Sequence, residues 1–252
     1  MVERRAFMLG TLAAAASAHT GAANAAGTAS AVADGTGIDD LGKFELILGR
    51  PGVVVGVPHG TPDVGTLDIG RILRERLGAG GVFVTGFWSG RTRERINVNR
   101  PTEQVIGPES QVLRQWSSER AIAANRRYDA LVTQAAQGRL RAFYEIHSNH
   151  RPELAGSIEV STLGVAREDA ERLKKAFATA RNRLAKDVPR LALHVSPVDK
   201  VPYPSYGAAS TISKLSERGC AIEGPGTVLA KRVWRLAYAD CLAEAIVAAK
   251  WA

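Results

Sequence analysis

Apolar and polar positions along this chain follow two periods, and residues 52–63 (GVVVGVPHGTPD) set the pattern. Val53, Val54, Val55 and Val57 crowd into one short run. β-Branched side chains lose little rotamer freedom in a strand, so the run predicts β structure. It does not alternate strictly, which marks a strand covered on both faces, as in a parallel sheet flanked by helices. Its glycine- and proline-rich exit carries His59 and Asp63. The carboxyl end of such a strand is where α/β sheets bind ligands.

Residues 44–48 (FELIL) predict a short strand near a sheet edge, because Glu45 interrupts it. Residues 64–77 place Leu67, Gly70, Ile72, Leu73 and Leu77 at roughly a 3.6 period, an amphipathic helix that Gly78 ends. Residues 82–84 then complete a short βαβ unit. A second helix spans 118–137, with Ser117 or Ser118 as its cap and Ile122, Tyr128, Leu131 and Val132 facing inward. Residues 140–146 (LRAFYEI) form a strand that exits at His147-Ser148-Asn149-His150.

Further strands are predicted at 157–160, at 191–195, which carries His194, and at 220–223 (CAIE), which ends in Gly224-Pro225-Gly226. Residues 167–184 read as a surface helix, acidic early and basic late, matching the helix dipole. Residues 227–249 read as one closing helix with Val228, Val233, Leu236, Ala237, Leu242 and Ile246 inward. The stretch SGRTRERINVNRPTE from Ser89 is expected to be a loop or short edge segment closed by Pro101. Residues 197–209, rich in proline and holding Tyr203 and Tyr206, are expected to be a loop. No internal repeat is visible. This rhythm predicts an α/β fold with a mixed, mostly parallel sheet and helices on both faces.

Composition changes this picture mainly at the N-terminus. Arg4-Arg5 precede an apolar stretch at 7–16 and an Ala/Gly/Ser/Thr run to about residue 33, with Ala23-Asn24-Ala25 the best cleavage point. RRAFMLG resembles a twin-arginine export signal, with Glu3 where a hydroxyl residue is more usual. The expectation is a signal over 1–33, a single catalytic domain over 34–252, and a periplasmic or secreted protein. No apolar run is long enough for a stable membrane span. The formal charge is +8, but the basic residues are scattered and aromatics make up only 6%. That argues against a nucleic-acid partner and favours an anionic small substrate or polymer. Cys220 and Cys241 are open to pairing or to remaining buried thiols.

Three predicted strand exits carry polar groups: His59 with Asp63, His147 with Ser148 and His150, and Glu223. Catalytic zinc takes two histidines and a carboxylate and keeps an open position. His59 and Asp63 offer a close pair, and His147 a distant third ligand. Glu223 is a carboxylate available as general base. Asp63 also admits a plainer role, as a turn former or cap of the helix that follows. Arg91, Arg93, Arg95 and Arg100 are either a solvated loop or a clamp for a substrate carboxylate, with Arg100 the first candidate and Arg91 the second. Tyr203 and Tyr206 are candidates to line the pocket and donate to an oxyanion.

The segments VPHGTPD, SGRTRERINVNR, YEIHSNH and AIEGPG together resemble the N-formylglutamate amidohydrolase family across most of the chain. The resemblance implies a phosphorylase/hydrolase-like fold of the zinc carboxypeptidase type. It implies Zn2+ on His59, Asp63 and His147, with Asn99 and Arg100 at the substrate's carboxylate and Glu223 as general base. The sequence departs from the family at Asn97, where an aspartate is usual, and at Gly60, where His-Ser becomes His-Gly. The expected function is zinc-dependent hydrolysis of an amide or peptide bond in a small or peptidic substrate bearing a free carboxylate. The alternative is an exported, non-catalytic binding protein for such a ligand on the same scaffold.

Overall fold

The structure, a computed structural model, describes residues 38–202, 207 and 209–251. The expected signal over 1–33 and the candidates Tyr203 and Tyr206 lie outside the described residues. In chain order the strands and helices are β1 (Gly42–Ile47), β2 (Arg50–Val57), α1 (Thr66–Leu77), β3 (Ala79–Gly86), β4 (Trp88–Ser89), β5 (Glu94–Asn97), β6 (Thr102–Ile106) and β7 (Val112–Trp116). Then come α2 (Glu119–Ala136), β8 (Ala142–Asn149), β9 (Ser157–Leu163), α3 (Arg167–Leu184), β10 (Ala192–Val195), α4 (Thr211–Leu215), β11 (Arg218–Pro225), α5 (Gly226–Leu229) and α6 (Arg232–Ala248).

Seven strands form one sheet in the order β1-β3-β2-β8-β11-β9-β10. The pairs β2–β3, β2–β8, β8–β11 and β9–β10 are parallel, while β1–β3 and β9–β11 are antiparallel. The mixed, mostly parallel sheet read from the sequence is therefore the one observed. Val53, Val55 and Val57 pack toward α1, α3 and α6, in a core that includes Leu73, Phe177 and Ile246. Val54 points to the other face, where Tyr128 and Val132 of α2 meet Phe143. A strand buried on both faces explains the unbroken valine run.

The second helix starts where its cap predicts, because Ser118 Oγ accepts from Ala121 N at 3.1 Å. The closing helix does not run as expected. It breaks between α5 and α6, and Val233, expected inward, is 74% exposed. Restarting at Arg232 gives α6 a new phase and turns Val233 outward, while Leu242 and Ile246 remain buried. Cys220 and Cys241 are both buried free thiols.

The larger departure is the stretch from Ser89, expected as a loop or short edge segment, which instead supplies strands of a second sheet and the turns between them. β4, β5, β6 and β7 make a separate four-stranded antiparallel sheet in that order. Ile96 of β5 and Val98 of the turn after it bury into the α2-side core, while Arg95 and Asn97 of β5, and Asn99 of that turn, face the other way. Strict alternation is the strand period, and here the polar face looks into a cleft instead of into solvent.

A candidate metal centre at the strand ends

The two sheets enclose a cleft of about 550 Å3 above the carboxyl ends of β2, β8 and β11. His59 and Asp63 sit on the turn that leaves β2, which is closed by Asp63 N donating to His59 O at 2.9 Å. Gly60 within this turn presses against β3: its N–H donates to Val84 O at 2.9 Å, and an added Cβ would lie 2.7 Å from that oxygen. A serine does not fit there without movement, which accounts for the His-Gly pair. The Asp63 carboxylate does not cap α1, whose N-cap is Gly65 with no side-chain bond. Thr66 Oγ1 instead donates to the Asp63 carbonyl at 2.7 Å, and the carboxylate turns into the cleft.

His147 lies on β8, in register with Glu223 of β11. His59 Nδ1 and His147 Nδ1 each stand 3.5 Å from Asp63 Oδ2. One ligand atom from each of His59, Asp63 and His147 falls within 4.8 Å of the others, and all three residues are buried. The remaining ring nitrogens are held from behind. Asn97 Oδ1 lies 2.7 Å from His59 Nε2, and with the amide in this orientation it accepts that proton. Nδ1 then carries the lone pair, and this buried atom has no hydrogen-bond partner. Glu145 Oε2 lies 3.4 Å from His147 Nε2 and also accepts from Asn99 Nδ2 at 2.9 Å. Two imidazoles locked on one nitrogen, with the other aimed at a shared carboxylate oxygen, form a metal-ligand set with its orienting shell in place.

The electrostatics follow from burial and from these contacts. Burial, reinforced by the charge of Arg95, lowers the His59 pKa to about 4. For His147 burial also opposes the charged form, but hydrogen bonds to Asp63 and Glu145 and the charge of Glu223 outweigh it, and its pKa rises to about 10. Burial would raise Asp63, yet the two histidines and Arg95 hold its carboxyl well below the usual range. Glu223 is raised, by burial first and by the Asp63 charge, against the pull of His147, Asn149 and Arg95. A carboxylate moved up toward neutrality suits a general base.

Of the residues singled out from sequence, the cleft brings together His59, Asp63, His147, Glu223, Asn99 and Arg100. Arg91 does not join them, because it is exposed in the turn after β4 and is not among the residues lining the cleft. Asn99, expected at the substrate's carboxylate, commits its amide N–H to Glu145. The sequence offered Arg95 only as one of four arginines of a loop or carboxylate clamp, and assigned no role to Asn97 or Glu145. The signal for them was period-two spacing: Arg95 and Asn97 share one face of β5, and Glu145 shares one face of β8 with His147.

No family model matches the chain, and no curated protein matches it. Solved structures do. A bacteriophage poly-gamma-glutamate hydrolase superposes with a TM-score of 0.50 at 13% identity, covering 82% of this chain and 88% of that one. YNDL in its zinc-free apo form superposes with a TM-score of 0.50 at 12% identity, covering 82% and 90%. The chain shares the mixed α/β fold of these proteins.

Proposed function

We propose that this protein is a zinc-dependent hydrolase of an amide or peptide bond in a small, carboxylate-bearing substrate, similar to the N-formylglutamate amidohydrolases. The observation that carries the reading is the convergence of two histidine Nδ1 atoms on one Asp63 oxygen, with Glu223 on the adjoining strand. The donor set of two imidazoles and one carboxylate suits zinc, and the partnerless His59 Nδ1 is what a ligand atom looks like without its metal. The fold shared with a poly-gamma-glutamate hydrolase, and with a protein whose zinc-free form has been solved, supports the same reading.

His59, Asp63 and His147 would hold the zinc, which would supply Lewis acidity at the scissile carbonyl and the attacking water. The chain's own groups do the rest. The Glu223 carboxylate takes a proton from the attacking water and returns it to the leaving nitrogen. Arg100, on the cleft wall beside Arg93 and Arg95, holds the substrate's carboxylate through its planar guanidinium. Asn97 and Glu145 keep both imidazoles in the ligating tautomer. The twin-arginine-like segment would deliver the folded enzyme to the periplasm or medium.

The test is hydrolysis of N-formylglutamate, γ-glutamyl oligomers and muropeptides, with and without a chelator. The expected result is turnover of one class that chelation abolishes and zinc restores. Stoichiometric zinc with ligand binding but no turnover would instead identify a binding protein on this scaffold.

A further inference from the structure

The metal-ligand reading leaves one partly buried cation of the cleft without a task. Arg95 lies on β5, and its Nη1 stands 3.6 Å from Asp63 Oδ1. The two histidine nitrogens both face the other oxygen, Oδ2. The two oxygens of one carboxylate are thus divided, one toward the ligand cluster and one toward a guanidinium. Arg95 is fixed in that position from the far side, since its Nη2 donates to Gln104 Oε1 at 2.7 Å. Gln104 Nε2 donates in turn to Gln115 Oε1 at 2.7 Å. Arg95, Gln104 and Gln115 are cross-strand partners on β5, β6 and β7, so sheet register builds this chain. Ser148 N, 3.4 Å from Oδ2, adds a neutral donor on the metal side.

We infer that Arg95 is a positioning residue that occupies Asp63 Oδ1, restricts Asp63 to one-oxygen ligation, and holds the metal more weakly and more acidic than the three ligands alone would. The inference rests on the metal-ligand reading and goes beyond it. A carboxylate ligand binds a divalent ion through one or both oxygens. An arginine on the second oxygen removes the two-oxygen mode and keeps a coordination position open for substrate. A fixed positive charge beside the ligand opposes a divalent cation in a buried site, where charges are poorly screened. Asn97, the neutral residue behind His59, adds no negative charge to offset it. The arrangement exchanges affinity for Lewis acidity.

The test uses chelator-stripped full-length protein, Arg95→Gln and Arg95→Lys variants, zinc titration against a competing chelator, and Co2+ as a spectroscopic probe. Arg95→Gln should bind zinc roughly 10- to 100-fold more tightly, the size of effect seen when residues behind ligands are lost but with the opposite sign, because a repelling charge is removed. Its cobalt absorption should weaken as Asp63 takes up two-oxygen ligation, and zinc-saturated protein should lose kcat with KM little changed. Arg95→Lys keeps the charge and should stay within about threefold of wild-type zinc affinity. Unchanged or weaker zinc binding by Arg95→Gln, or an unchanged cobalt spectrum, overturns the inference. A wild-type protein that binds no zinc would instead remove the metal reading on which it rests, so the two failures are distinguishable.

Discussion

The large and small sheets divide the candidate site between them in different ways. The large sheet offers ligand and base atoms from the carboxyl ends of β2, β8 and β11, on strands whose neighbours are buried on both faces. The small sheet offers no residue to the ligand cluster. It places Asn97 behind His59 and Arg95 behind Asp63, and the turn that joins β5 to β6 places Asn99 behind Glu145. The large sheet supplies the atoms that would touch a metal, and the small sheet, joined by Glu145 of β8, sets which atom each ligand presents. Changes in the first should therefore abolish function, and changes in the second should tune it.

The largest expected effect lies in the large sheet. His147→Ala should lower hydrolysis by at least about 10^4-fold, since it removes a ligand and with it the Lewis acid. Glu223→Gln should lower it by about 10^2- to 10^4-fold while leaving zinc content intact, which separates the base from the ligands. Full activity in that variant would assign the proton transfer to another group.

In the small sheet, Asn97→Ala frees His59 Nε2 and should weaken zinc binding by about 10- to 100-fold without abolishing it. A loss as complete as that of His147→Ala would break the distinction between the two layers.

Stability against pH sharpens the comparison in metal-stripped protein. The folded His59 pKa is depressed to about 4, so its contribution is full above the ordinary histidine value of 6.5 and fades as pH falls through that interval. The folded His147 pKa is raised to about 10, so its contribution is full below 6.5 and fades as pH rises toward 10. Asp63, depressed, contributes above its ordinary 3.8 and loses that contribution in stronger acid. Thermal melting of the stripped protein should therefore peak near pH 6.5, and zinc binding at neutral pH should release a proton from His147. The smallest effect is expected far from both layers. Val233→Ser, on the exposed start of α6, should change stability by no more than about 0.5 kcal/mol.

The large sheet was legible because its strands advertise themselves. β2 is a valine run, β8 carries a histidine near its end, and α3 is bounded as expected by acidic and basic turns. The small sheet was not legible because β5 inverts the usual arrangement. Its polar residues, Arg95 and Asn97, line a cleft, so charge density that suggests a solvated loop belongs to a strand. β6 and β7 went unread for a related reason: β7 is exposed along nearly its whole length and carries no apolar stripe. The break between α5 and α6 falls at Ala230 and Lys231, residues with no helix-breaking character. Nothing local marks it. His59, Asp63, His147 and Glu223 were readable as residues at strand ends, although β8 and β11 run two residues beyond His147 and Glu223. Which nitrogen each histidine presents was not, because that depends on Asn97 and Glu145 across 38 and 2 residues of chain.

The most direct measurement is zinc titration of chelator-stripped wild-type protein beside His59→Ala, read as metal bound per chain. One zinc per wild-type chain, lost in the variant, is the result expected if the ligand cluster is real. No saturable binding by the wild type, or the same stoichiometry and affinity in both proteins, would contradict it.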